Sequence, residues 1–223
     1  FYRKEKLVMD KKYSYEQRKL SFQLVPETVW GSNLRLLLAN WNEISRIVRS
    51  TGKCAICGMM TKQLHAHEVW CYDDENHVQI LDNIIAVCKN CHNAIHIGYA
   101  NVQGKGQEAL VWYAKINKIS IAIALQEEKE AFKIWEERSC FAWQKEKTLL
   151  EKIKKITGIA GLVFDSLKPI NGKYYLRVPF EEKDEAKKYG AKWDAVKKMW
   201  YYVNPNDKEK FQKWLWHVPE NLS

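Results

Sequence analysis

Two Cys-x-x-Cys pairs, Cys54 with Cys57 and Cys88 with Cys91, constrain this chain more than any other feature. Four thiolates at that spacing are the donor set of a closed tetrahedral zinc site, so the fold must bring residues 54 and 91 together. Thirty residues separate the pairs, more than a simple zinc ribbon uses, and a further piece of structure is therefore inserted between the two knuckles. Of the six cysteines only Cys71 and Cys140 remain, and these read as packed or idle thiols. Paired metal-ligand spacings with so few spare cysteines fit a reducing compartment better than a disulfide framework.

The insert contains Leu64-His65-Ala66-His67-Glu68-Val69, and the second pair runs directly into Cys91-His92-Asn93-Ala94-Ile95-His96. On a helix, His92 and His96 stand at i and i+4 and point the same way, as two ligands of one ion must. On a strand, His65 and His67 face the same side, whereas Glu68 faces away unless the strand ends there. Any one of these histidines alone reads as an ordinary core or surface residue. Together, in this order and spacing, they favour a second metal. Asp73, Asp74 and His77 read as part of a solvated turn.

The chain has 223 residues, enough for one large or two small domains, and 46% hydrophobic with 13% aromatic content excludes wholesale disorder. Its net charge of +9 suits a phosphate-bearing partner, though many soluble proteins are as basic. The surplus flanks the metal-ligand segment: residues 54–100 carry two basic and five acidic side chains, while residues 171–217 carry eleven and seven. The most apolar run, Ile119 to Leu125, is too short to cross a bilayer, and the first residues, Phe-Tyr-Arg-Lys-Glu, show no signal-peptide core. Cytoplasmic placement and no membrane partner are the default expectations.

Four segments are expected. Residues 1–52 form a basic segment and a helix, with Leu34, Leu37, Leu38, Trp41, Ile44, Ile47 and Val48 as its apolar stripe, ending near Thr51-Gly52. Residues 53–100 hold the knuckles, a short hairpin and the histidines. Residues 101–160 are a helical extension, helical from about 108 to 156, with Phe132, Trp135, Trp143, Leu149 or Leu150, Ile153 and Ile156 buried. After a linker, residues 172–217 form a separate unit: a strand from Lys173, a helix over Glu181–Tyr189 stopped by Gly190, a strand through Trp200–Val203 and a last helix near Asp207–Trp216.

The order Cys-x-x-Cys, His67-Glu68, then Asn83-Ile84-Ile85-Ala86-Val87-Cys88-x-x-Cys91-His92 resembles the HNH endonuclease pattern over roughly residues 50–98. A weaker likeness, through the helix after Trp30, extends over much of 22–156. The resemblance implies an α+β fold with a ββα-metal core, zinc knuckles and flanking helices. It implies that His67, His92 and His96 bind a catalytic divalent ion, Mg2+, Mn2+, Ni2+ or Zn2+, while the four cysteines hold structural Zn2+. Asn83 matches the middle Asn, whose task is to hold the metal loop in shape. The implied activity is hydrolysis of phosphodiester bonds in nucleic acid, with DNA as the expected partner. In one respect the sequence departs from the pattern. The position after the first ligand is usually a His acting as general base, and here it is Glu68, with His65 as its rival. A module that keeps the fold and binds nucleic acid or protein without catalysis is the alternative.

The C-terminal segment resembles a small domain of unknown function found beside primase, plasmid-transfer and phage proteins. The residues that carry this are Val178-Pro179-Phe180, Lys183-Asp184-Glu185-Ala186, Gly190-Ala191-Lys192-Trp193-Asp194 and Lys198-Met199-Trp200-Tyr201. The aromatics and lysines interleave, but in a domain this small Trp193, Trp200 and Trp214 are expected to make the core. Lys192, Lys197 and Lys198 are the candidates for backbone contact.

Overall fold

The computed structural model describes residues 12–29, 33–38, 40–159, 172–176, 178–195 and 199–215. The fold is α+β and divides into two compact units. The described residues of 12–29 and 43–159 form one, and those of 33–42 and 172–215 form the other.

The apolar stripe expected over residues 34–48 is not one helix. It is split into α1 (Leu34–Leu37) and α2 (Trp41–Arg49). Between them the Trp41 amide donates to the Leu38 carbonyl at 3.2 Å, an i+3 turn in place of a helical bond. Asn40 sits in that turn, where a short polar side chain competes with the helical backbone. In α2, Ile44 and Val48 are buried one turn apart, each contributing roughly 2 kcal/mol by leaving water. The chain then turns through Gly52, whose φ of +64° suits a residue without Cβ, into the first cysteine pair.

A long antiparallel hairpin follows, β1 (Leu64–Asp73) with β2 (Val78–Cys88). Asp73 closes its turn, its carboxylate accepting from the amides of Glu75 at 3.1 Å and Asn76 at 3.0 Å. The register sets His67 opposite Ile85 and Leu64 opposite Cys88, with a bulge at Val69/Trp70. Two short helices come directly after, α3 (Lys89–Ile95) and α4 (Ile97–Val102), with His96 at the joint.

The helical stretch expected over 108–156 is three helices: α5 (Gly106–Asn117), α6 (Ile121–Ser139) and α7 (Leu149–Thr157). Lys118 ends α5 in the left-handed region at φ +55°, and the Ser120 hydroxyl accepts from the Ile123 amide to start α6. Before α7, the two-residue β3 (Gln144–Lys145) joins the hairpin parallel to β2. The buried line of α6 is Ala124, Glu127, Ala131, Ile134 and Arg138, while Phe132 and Trp135 are only half-buried. Its two charges are partnered. Glu127 accepts from Arg18 at 2.9 Å and from the Tyr113 hydroxyl at 2.7 Å, and Arg138 grips Asp74 at 2.7 and 3.0 Å. Asp74 is thus held by an ion pair and is not merely solvated.

In the second unit, β4 (Tyr174–Leu176), β5 (Lys192–Asp194) and β6 (Met199–Tyr202) build an antiparallel sheet in the order β4-β6-β5, with α8 (Lys183–Lys188) between β4 and β5 in the chain. The closing helix is a 3-10 helix over Pro205–Trp214, begun by an Asn204 side chain that accepts from the Asn206 amide. Leu176, Ala186, Ala191, Tyr202, Phe211 and Trp214 form the core. Trp214 is 1% exposed, as expected, but Trp200 only packs against the core's edge and Trp193 is 50% exposed. The register sets Trp193 beside Trp200 and Leu176 on the core side of the sheet, but β5 is an edge strand and leaves its indole uncovered, contrary to the expectation of a three-tryptophan core.

Candidate metal centres

The first centre is built by two tight turns. The Cys54 amide donates to the Met59 carbonyl at 2.9 Å and the Gly58 amide to the Cys54 carbonyl at 3.0 Å, folding residues 54–59 into a knuckle that Gly58 permits with φ +80°. The Ala55 amide donates to the Ala86 carbonyl at 2.8 Å, which fastens the knuckle beside β2 just before Cys88. Cys88 then stands at the N-cap position of α3 and Cys91 lies in its first turn. The four sulfurs lie within 4.8 Å of one another. The Cys57 and Cys88 Sγ atoms are 3.7 Å apart. A tetrahedral zinc with Zn–S of about 2.3 Å needs sulfur edges of about 3.8 Å, so the donor set fits that ion.

Burial pushes the Cys54 thiol up, but the backbone amides of Cys57, Cys88 and Ile56 more than offset this and hold it at about 7. Burial raises Cys88 and Cys91, the latter against an indole N–H from Trp112 that reaches its Sγ at 3.3 Å. Thiols that resist ionisation when buried together are relieved by a divalent cation among them.

The second centre lies on the hairpin face that α3 covers. His67 from β1, His92 from α3 and His96 from the α3–α4 joint each offer a ring nitrogen, all within 4.8 Å of one another. The ring centroids are 5.6 Å apart for His67 and His92, 4.9 Å for His67 and His96, and 4.7 Å for His92 and His96. The His96 amide donates to the His92 carbonyl at 3.1 Å, so the i and i+4 relation expected of a helix holds although His96 is past its end. His67 is 4% exposed. Burial, then the neighbouring His96 and His92, hold it well below the usual imidazole range. Burial, then His96 and His65, push His92 down to about 3. Burial pushes His96 down to about 4, against a hydrogen bond with the Gln23 backbone. Three imidazoles kept neutral near pH 7 are a ligand set for a divalent ion.

The other residues singled out in the sequence fall in distinct places. His65 is exposed and its ring stacks on His92, at the rim of the three-histidine cluster. Glu68 is next to His67 in a strand that continues to Asp73, so it faces away from the cluster, and its carboxylate accepts the Trp70 indole N–H at 2.9 Å. Asn83 is exposed beside the bulge, where its Oδ1 accepts from the Ile84 amide at 2.8 Å. Lys192 is exposed on β5, and Lys197 and Lys198 lie outside the described residues.

Two residues that no spacing points to support these centres. One is Trp112, on Cys91. The other is Gln23, whose side chain donates to the Glu68 carbonyl at 2.7 Å and accepts from the Trp70 amide at 3.1 Å, pairing with the edge of β1 like a neighbouring strand. Its own amide donates to the Ile95 carbonyl at 2.8 Å, so it joins β1 to the end of α3 between His67 and His96. Residues 1–25 show no clean period, and neither polarity nor spacing separates Gln23 from its neighbours.

No helix among the described residues is long and apolar enough to cross a membrane. No solved structure matches the chain. It is 45% identical over 42 residues to a DNA primase TraC of Escherichia coli, a stretch covering 19% of this chain and 3% of that protein. To another Escherichia coli DNA primase TraC it is 50% identical over 40 residues, 18% of this chain and 4% of the relative. The chain therefore spans only a small part of the length of these relatives. Residues 173–221 match the family model for a domain of unknown function, DUF5710, in agreement with the small C-terminal module read from the motifs between Val178 and Tyr201.

Proposed function

We propose that the chain is a metal-dependent endonuclease of the HNH type that hydrolyses phosphodiester bonds of nucleic acid, DNA first among its substrates, in the cytoplasm. The observation that carries this reading is the convergence of His67, His92 and His96 from a hairpin and the helix after it, beside a separate four-thiolate staple. A divalent ion bound by these imidazoles supplies electrostatic stabilisation of the charge that builds on a scissile phosphate. Burial keeps the three rings neutral and their lone pairs available. His65 is exposed and stacked on His92, so a ring nitrogen there can accept the proton of an attacking water at the rim of the site. We assign the base to His65 and not to Glu68, whose carboxylate is engaged by Trp70 on the other face of β1. Asn83 holds the β2 backbone beside the bulge.

The same placement of Glu68 favours a second reading, a zinc-dependent nucleic-acid or protein binding module without catalysis, because the position that usually bears the base is turned away. Supercoiled plasmid, single-stranded DNA and RNA, each incubated with Mg2+, Mn2+, Ni2+ or Zn2+, separate the two. The nuclease reading expects nicked or linear plasmid with at least one ion. Intact substrate under every condition leaves the binding module.

A further inference from the structure

The core of the C-terminal unit closes without Trp193. This indole stands on the edge strand β5, half in water, with its ring 5.4 Å from that of Trp200 and tilted by 58°. Trp200 is half-buried and packs on the core, so it backs Trp193 and fixes its angle. The opposite face of the sheet stiffens the same strand. Asp194, next to Trp193, accepts from Lys173 Nζ at 2.7 Å and from the Tyr175 hydroxyl at 2.8 Å, tying β5 to β4 across β6. A rigidly held indole with an open face, which the core does not need, is a surface for stacking.

Cations lie beside the rings of Trp200 and Phe180. Lys187 Nζ is 5.6 Å from the centre of the Trp200 ring, and its 3.2 Å pair with Asp184 is exposed, so it exchanges for a phosphate at little cost. Lys192 precedes Trp193 and is exposed, but it leaves β5 on the other face of the sheet. Elsewhere on the unit the arrangement recurs, with Phe180 75% exposed and Lys183 Nζ 3.7 Å from its ring centre. Residues 172–217 carry eleven Lys and Arg against seven Asp and Glu.

We propose that this face is a binding platform for single-stranded nucleic acid, on which Trp193 stacks an unpaired base while Lys187 takes an adjoining phosphate. The basic surplus and the ammonium groups over the Trp200 and Phe180 rings favour a polyanion over an apolar protein surface. The open indole face favours a single strand, because bases within a duplex have no free face to offer. Stacking of this kind is tolerant of sequence, since every base has a π-face. The platform does not depend on the three-histidine centre or on its chemistry.

The test uses the full chain, a labelled oligothymidylate and a duplex of equal length. Both carry phosphorothioate linkages and no divalent ion is added, so that cleavage does not intervene. Trp193→Ala is expected to weaken binding of the single strand about tenfold, the loss of one base–aromatic stack. Trp193→Phe, which keeps a stacking ring and guards against a folding artefact, is expected to retain most of the affinity, and duplex binding is expected to be unchanged. Lys187→Gln is expected to reduce the slope of log affinity against log salt by about 0.7. Single-strand affinity unchanged in Trp193→Ala, or lost equally for duplex and for Trp193→Phe, overturns the proposal.

Discussion

His65 and His92 lie face to face, with ring centroids 4.7 Å apart and ring planes within 7° of parallel. One is exposed and the other is a half-buried member of the three-histidine cluster, so the stack connects solvent with the candidate metal centre. Removing His65 should therefore slow cleavage on the order of a hundredfold or more while leaving the ligands in place. Glu68→Gln keeps the hydrogen bond with Trp70 and should change the rate by no more than a few fold. Single-turnover cleavage by the two variants decides between them. An active His65→Ala with an inactive Glu68→Gln returns the proton transfer to Glu68.

The four-thiolate centre and the three-histidine centre should part company in metal analysis. One zinc per chain is expected to survive dialysis, with a second, exchangeable divalent ion present only when supplied. Cys88→Ser should lose the tight zinc and unfold the region around residues 50–98, because binding at such a site is coupled to folding. Full secondary structure and an unchanged melting temperature in zinc-free protein would contradict the staple.

Gln23 joins the edge of β1 to the end of α3, between two of the three histidines. Gln23→Ala leaves the Trp70 amide and the Glu68 carbonyl at that edge without their partner. Affinity for the exchangeable ion should fall by about tenfold, as for other groups that orient ligands without touching the metal. The tightly bound zinc should be unaffected. Isothermal titration of the divalent ion into parent and variant measures this, and equal affinities would show that the clasp has no part in orienting the cluster.

The candidate clusters were legible where they rest on short-range spacing, while His67 entered through the likeness to the HNH pattern. Cys-x-x-Cys makes a knuckle whatever surrounds it, and His92 with His96 needs only one helical turn. The alternation of His65, His67 and Glu68 was equally local, but its outcome turned on where β1 ends, and the strand runs on to Asp73 through the bulge. The long helix expected over 108–156 failed because a 3.6-residue pattern passes over breaks set by single residues, Lys118 with positive φ and Ser120 as a cap. Trp193 was misplaced for a different reason: hydrophobicity suggests burial, whereas the edge position of β5 decides it. Gln23 and Trp112 act across 45 and 21 residues of sequence, and separations of that kind leave no local trace.

The most direct test of the nuclease account compares plasmid cleavage by the parent chain and by His92→Ala, with zinc content and melting temperature measured on the same preparations. His92 supplies a ligand atom to the three-histidine cluster and none to the four-cysteine set. The account predicts that His92→Ala keeps its zinc and its fold and loses cleavage with every divalent ion. Cleavage at the parent rate by a folded, zinc-loaded His92→Ala would contradict it.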